Sequence, residues 1–233
     1  MDPAGGEWRD GIGRLLRHEA GAWPAVARSY RELVAPGMAA AAPFYPGSPL
    51  LALGLLREQD RLIACDLVDE VAADLKAALR GDLRAAVHAR DGWAAIRAFL
   101  PQKTGRTVVL IDPPFEAKAE FDLLAHHLIE AARRAPAAIV LGWYPLKGRA
   151  AADRLHATLA QSGVARILAA ELLTQPADDA GRFAGSGIIV IRPPWQLDAA
   201  LAQGLPRLLD LTGFGATGTT AVTWLAGEEN DNR

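Results

Sequence analysis

Short strand-forming runs alternate with amphipathic helical stretches along most of this chain, and that alternation limits its fold more than any other feature. RLIACD (61–66), AAVHA (85–89), TVVLI (107–111), AAIVLGWYP (137–145), ARILAAELL (165–173), SGIIVIRPP (186–194) and TTAVTWL (219–225) read as strands. VDEVAADLKAALR (68–80), DGWAAIRAFL (91–100), residues 118–134, RAAADRLHATLAQSG (149–163) and WQLDAALAQGLPRLLD (195–210) read as helices, several stopped by Gly or Pro. Strands separated by helices of this length need crossover connections, so the expected class is α/β with a largely parallel sheet.

Ahead of the first strand the pattern is helical. Residues 7–34 read as two helices broken near Gly21 and Pro24, with Trp8, Ile12, Leu15 and Leu16 on one face. A loop extends from there to about residue 46, and SPLLALGLLREQD begins a helix with Ser48 at the cap and Pro49 in the first turn. This divides the chain into a helical insertion, 1–46, and a Rossmann-like domain, 47–233. The late strands ARILAAELL and SGIIVI are separated only by a loop, which suggests an antiparallel hairpin at one sheet edge. That is the pattern of class I methyltransferase sheets rather than of dehydrogenases.

Doubly wound sheets place ligands beyond the carboxyl ends of their strands. Three successive strands reach an acid there: Asp66, Asp91 and Asp112. Each could simply cap a helix or close a turn. Together they set three carboxylates along one rim, where an acid at the second strand's tip can hold a ribose and the next can accept from an adenine amine. Such a rim suits an adenosine-bearing cofactor.

Asp112 differs from the other two acids in its C-terminal neighbours. In VVLIDPPFE (108–116), Pro113 and Pro114 remove two donors and fix two φ angles, leaving a stiff loop rich in carbonyl acceptors. Phe115 adds an aromatic plane. An exocyclic amine is a poor nucleophile because its lone pair is delocalised into the base. Accepting both N–H groups, at the Asp112 carboxylate and the Pro113 carbonyl, favours a pyramidal nitrogen with a free lone pair, while the ring stacks on a flipped-out base. IIVIRPPWQ (188–196) repeats the rhythm, but Arg192 cannot accept from an amine. That second copy reads as a strand stop leading into a helix, with Trp195 packed in the core.

Other chemistries find little support. No run of about 18 apolar residues exists to span a membrane, and MDPAGGEWRD is not a secretory leader. A single cysteine, Cys65, excludes an internal disulfide and reads as a small buried hydrophobe. His18, His88, His126, His127 and His156 show no metal-ligand spacing and read as surface or packing residues, so no metal is expected. GFGATG (213–218) precedes a strand and reads as a turn rather than a phosphate loop. A net charge of −2 with scattered arginines gives no basic stripe of the kind common in nucleic-acid binders. A cytoplasmic monomer is the expectation.

In this order, YPGSPLLALGLLREQDRLIACD, ARDGW, VVLIDPPFE, LGWYPL and GSGIIVIRPPWQL resemble the RlmJ family of bacterial 23S ribosomal RNA adenine-N6 methyltransferases, which use S-adenosylmethionine. The similarity runs from about Gly6 to Trp224. It implies that Ser48 and Asp66 contact the cofactor, that Asp91 and Gly92 lie against its adenine, and that Asp112 is both the catalytic acceptor and a cofactor neighbour. Phe115 would stack on the target base in place of the family's usual Tyr. Asp66 stands where the family usually has Glu. The family's Tyr/His-rich opening segment, first strand and Gly-containing loop have no counterpart here, and that strand is expected between RLIACD and VVLI. Either the true start lies upstream of Met1 or the chain is a trimmed relative. The reading is therefore a ribosomal RNA adenine-N6 methyltransferase acting by direct transfer. The alternatives are a truncated, non-catalytic RNA-binding relative and a DNA adenine-N6 methyltransferase.

Overall fold

The structure, a computed structural model, describes residues 7–40, 44–103, 105–117, 119–178 and 181–227. Contacts within the chain divide it into two compact units, one ending at Ala98 and the other running from Phe99, with Pro24–Val26 belonging to the second.

The first unit contains α1 (Glu7–Asp10), α2 (Ile12–Leu15), two 3-10 turns, α3 (Arg28–Met38), α4 (Ser48–Leu55), β1 (Leu62–Asp66), α5 (Asp69–Ala78), β2 (Ala85–Ala89) and most of α6 (Gly92–Phe99). The expected break near Gly21 and Pro24 is present, but single turns precede it. The helix after it runs on to Met38, into residues that the sequence pattern assigns to a loop. Pro36 lies in the last turn of that helix, and fully buried Val34 anchors the segment. The Tyr30 and Tyr45 hydroxyls meet at 2.7 Å, tying α3 to the YPGSP loop. Burial pushes the Tyr30 phenol up. β1 and β2 pair in parallel, with Asp66 opposite Ala89, and α4 and α5 pack on β1.

The second unit contains β3 (Val108–Ile111), α7 (Glu120–Arg134), β4 (Ile139–Leu146), α8 (Ala150–Ala160), β5 (Ile167–Leu173), β6 (Gly185–Ile191), α9 (Leu197–Thr212) and β7 (Thr219–Ala226). The expected start of α7 at residue 118 lies outside the described residues. Its sheet has the order β3-β4-β6-β5-β7. β3 and β4 are parallel, and the remaining pairs are antiparallel. The β5–β6 hairpin is present but not at the edge. β7 pairs outside β5, because the turn at 213–218 returns the chain from α9 onto that free ladder. The strand ends of β3, β4 and β5 share one rim with the starts of β6 and β7. The opposite rim carries the ends of β6 and β7.

Gly142 faces α7, where an added Cβ would lie 2.9 Å from Leu128, so its absence lets the helix pack close to β4. Val140, Leu155, Leu159, Ile167, Ile189 and Ile191 fill the space around it, all essentially without exposure. At about 25 cal/mol per Å² of apolar surface removed from water, this core holds the second unit together. β1 and β3, the strands the family resemblance singles out, each have one ladder partner among the described residues. Val108 on β3 is 64% exposed and Leu110 51%, unusual values for a strand of four apolar residues.

Candidate functional site

β3 ends at Ile111, and Asp112 is the first residue beyond the ladder, on the rim shared with the ends of β4 and β5. Pro113 is buried, which fixes the loop's root, while Asp112 is open to solvent. Neighbouring loop atoms still strip part of its hydration, and that desolvation holds its carboxyl above the ordinary range. α7 begins eight residues later at Glu120, whose own carboxylate accepts from the Ala117 amide at 3.1 Å and closes the loop. Asp112 is therefore too far away to cap α7, and its carboxylate makes no hydrogen bond among the described residues.

Phe115 adopts φ +55°, a left-handed conformation that costs a non-glycine residue about 1–3 kcal/mol. Its ring packs against Phe121 at 4.8 Å and edge-on to Trp143 at 5.7 Å. Phe121 in turn meets Tyr144 at 6.4 Å. Tyr144 is fully buried, donating to Glu171 Oε1 at 2.9 Å and standing 2.8 Å from His156 Nε2. Arg149 Nη1 holds the other Glu171 oxygen at 2.6 Å. Tyr144 and Glu171 lie on strands separated by β6, and both are in register with Gly187. A Cβ at Gly187 would run into the Tyr144 ring, so the glycine is the gap through which the phenol reaches across. Burial and the adjacent Glu171 carboxylate push the Tyr144 phenol up, and burial pushes His156 down.

Sequence reasoning misses this brace. Its only signals are a lone acid inside ILAAELL and a histidine, His156, whose spacing suggests surface or packing. Neither identifies a partner on a distant strand.

In the first unit, Asp66 and Asp91 stand together at the carboxyl end of the β1–β2 pair, joined by Arg90 N–H donating to the Asp66 carbonyl at 2.8 Å. Each spends one carboxylate oxygen on the backbone just after it. Asp66 Oδ1 accepts from Val68 N at 2.9 Å, and Asp91 Oδ1 from Trp93 N at 3.1 Å. Both acids close turns, and each has a second oxygen for a ligand hydroxyl or amine. Gly92 has no positive φ, and a Cβ there would meet nothing within 4 Å. Neither packing nor backbone conformation requires that glycine. Ser48 is exposed at the first position of α4. Gly47, not Ser48, is the cap residue, and no side-chain cap bond forms.

The RPPW copy lies on the opposite rim. Trp195 is 85% exposed rather than packed in the core. β6 ends at Ile191, and left-handed Arg192 (φ +56°) and Gln196 (φ +62°) turn the chain off the sheet before α9 begins, carrying the indole outward. Two smaller expectations also change. Cys65 is half-buried, its thiol pushed up by desolvation. His127 Nδ1 lies 3.1 Å from Glu130, and the two join His126 in a cluster whose ligand atoms are within 4.8 Å of one another. The i, i+3 and i, i+4 spacing on α7 explains that grouping.

The alternating α/β chain, its mixed sheet and its Asp-Pro-Pro-aromatic strand end define a class I methyltransferase fold. The family described as "Ribosomal RNA large subunit methyltransferase D, RlmJ" matches residues 2–226, and the chain belongs to it. It is 34% identical over 224 residues to the Ribosomal RNA large subunit methyltransferase J of Escherichia coli K12, covering 96% of this chain and 79% of that protein. The protein of the same name from Haemophilus influenzae is 34% identical over 185 residues, 79% of this chain and 66% of its own length. The crystal structure of protein LPL1258 from Legionella pneumophila, a DUF519 protein, superposes with a TM-score of 0.86. It covers 98% of this chain and 84% of that one at 21% identity, a likeness of fold. No helix among the described residues is long and apolar enough to cross a membrane.

Proposed function

We propose that this chain methylates the N6 amine of an adenine in 23S ribosomal RNA, with Asp112, Pro113 and Phe115 forming the catalytic loop. Among the three strand-end acids, Asp112 is the one whose carboxylate is not spent on a backbone donor, and that difference carries the reading. The Asp112 carboxylate and the Pro113 carbonyl accept the two amine N–H bonds and free the nitrogen lone pair. Phe115, fixed by Phe121 and Trp143, offers its ring to the flipped base. Its left-handed backbone is the kind of stored strain that recurs at ligand clamps. With its pKa raised, Asp112 is also a better acceptor for the proton that leaves the methylated amine.

S-adenosylmethionine, when bound, supplies an electrophilic methyl group for direct displacement. Asp66 would hold its ribose hydroxyls, Asp91 and the Gly92 backbone its adenine, and Ser48 a further polar contact. The open surface at Gly92 and the second oxygens of the two acids fit that group. In the same reading, residues 1–46 are a helical insertion on a methyltransferase domain spanning 47–233.

The test is transfer of labelled methyl from S-adenosylmethionine to unmodified large-subunit RNA, with duplex DNA in parallel. Labelled N6-methyladenine in the RNA supports the proposal, provided that Asp112→Ala abolishes it while leaving the circular dichroism spectrum unchanged. Activity on DNA alone, or comparable activity in the variant, overturns it.

A further inference from the structure

Behind the brace of Tyr144, Glu171, Arg149 and His156 lies a cleft that the methyl-transfer reading does not use. It holds about 610 Å³ between α8 and the β5–β7 pair. Ala169, Glu171 and Leu173 of β5 form its floor with their register partners on β7, Thr223, Ala221 and Thr219. Arg149, at the start of α8, and His156 within it form a wall. Leu173, Thr219 and Arg149 place one end of the cleft on the rim that carries Asp112. β5 stands three places from β3 in the sheet, about 14 Å at the usual strand spacing.

The hydrogen bonds of the brace fix what the wall presents. Arg149 gives one arm to Glu171 and the other to Asp153 at 3.0 Å. Two carboxylates thus offset one guanidinium, which leaves no excess positive charge for a phosphate. The Arg149 Nε–H and one hydrogen on each terminal nitrogen are still available as donors. An ionised Glu171 can only accept, so the Tyr144 hydroxyl gives it its one proton. The 2.8 Å contact between that hydroxyl and His156 must then be donated by the imidazole Nε2. Burial holds the imidazole pKa down, so the ring is neutral at neutral pH and Nδ1 keeps a bare lone pair. Thr219 and Thr223 add two hydroxyls that can donate or accept, and Ala169, Ala221 and Leu173 add apolar surface between these groups.

A wholly apolar ligand would leave these donors and acceptors stripped of water and unpaired. A neutral, flat ligand with donors and acceptors along its edge satisfies them, and a nucleobase is such a ligand. We propose that this cleft is a subsite for an unpaired base of the same RNA, near the methylated adenine, with Arg149 donating to its edge and His156 Nδ1 accepting from it. The proposal rests on the RNA methyltransferase reading and adds a specificity-determining site to it. The brace that backs the cleft also reaches Phe115 through Phe121, so both bases would be held on one frame.

Ala221→Leu tests this, because it fills the cleft from an exposed position and leaves the brace untouched. In fluorescence anisotropy with a 5′-labelled mixed-sequence RNA 12-mer, it should weaken binding about tenfold, the scale of two lost hydrogen bonds. Thr223→Val, which removes one hydroxyl, should weaken it about threefold. In the RNA methylation assay the effect of Ala221→Leu should fall on KM rather than kcat. Failure of the intact chain to bind the 12-mer, or wild-type affinity in a folded Ala221→Leu, overturns the proposal. Should Ala221→Leu fail to fold, wild-type affinity in Thr223→Val overturns it alone. Saturation-transfer NMR with free guanosine and adenosine separates the two sources of a base. A free nucleoside that Ala221→Leu displaces, with 12-mer affinity unchanged, assigns the cleft to a small molecule and overturns the RNA subsite. If the 12-mer binds in an Ala221-dependent manner but no RNA is methylated, the subsite stands and the catalytic proposal falls.

Discussion

VVLIDPPFE and IIVIRPPWQ share a strand, two prolines and an aromatic, yet the fold uses them for opposite purposes. β3 runs parallel to β4, so its terminal Asp112 emerges on the rim with the ends of β4 and β5. β6 runs antiparallel to both of its neighbours, so Arg192 emerges at the other end of the sheet. In the first turn the aromatic is drawn inward against Phe121 and Trp143. In the second it is pushed out into water. Strand direction alone turns one sequence rhythm into a candidate catalytic loop on one rim and an exposed turn on the other. The residue that opens each turn, acid or guanidinium, matches its address.

The largest effect that tests this contrast is loss of the acid. Asp112→Ala should lower methyl transfer at least 100-fold, the scale of removing a preorganised polar partner from a transition state. Exchanging the two residues, Asp112→Arg with Arg192→Asp, should be equally inactive. A carboxylate on the far rim cannot reach the reacting amine, so recovered activity would mean that the rims are not functionally distinct. Gly187→Ala should destabilise the protein by about 1–3 kcal/mol, measured as a lower denaturant midpoint, because a methyl group there displaces Tyr144 from Glu171. Arg192→Ala should cost only about 1 kcal/mol, the net worth of a hydrogen bond such as the one to Ala132, and change kcat little.

The smallest effect concerns pH. Partial desolvation by the surrounding loop raises the Asp112 carboxyl in the folded state, so its contribution to stability is present below its unfolded pKa and lost as pH rises through the folded value. At neutral pH, Asp112→Asn should therefore melt at or slightly above the wild-type temperature while being inactive. Loss of wild-type activity on acidification should begin at a higher pH than for an ordinary carboxylate. A lower melting temperature for Asp112→Asn would show that the acid stabilises the loop rather than serving chemistry.

The strands and helices are legible in the sequence because each is set by local periodicity. β2 appears at the expected residues, and β1, β3, β4 and β5 differ by one or two at their ends. Asp112 is legible because the amine chemistry demands an acceptor with donor-free backbone after it, and those residues are contiguous. The Tyr144–Glu171–Arg149 brace is not, since it depends on which strands become neighbours and on one glycine opening the gap between them. The exposure of Trp195 escapes the sequence for a related reason. Burial of an aromatic after a strand depends on the direction the strand is travelling, and two left-handed residues that nothing in their side chains announces redirect the chain.

β3 is tied to its sheet on one side only, and it carries the proposed catalytic loop. In an amide hydrogen-exchange experiment its outward-facing N–H groups, with no ladder partner among the described residues, should label early, while β6, paired on both sides, stays protected. The position of Asp112 then rests on the single row of bonds to β4. Any strand that docked along the open side of β3 would slow that exchange and would also hold the acid more firmly in place.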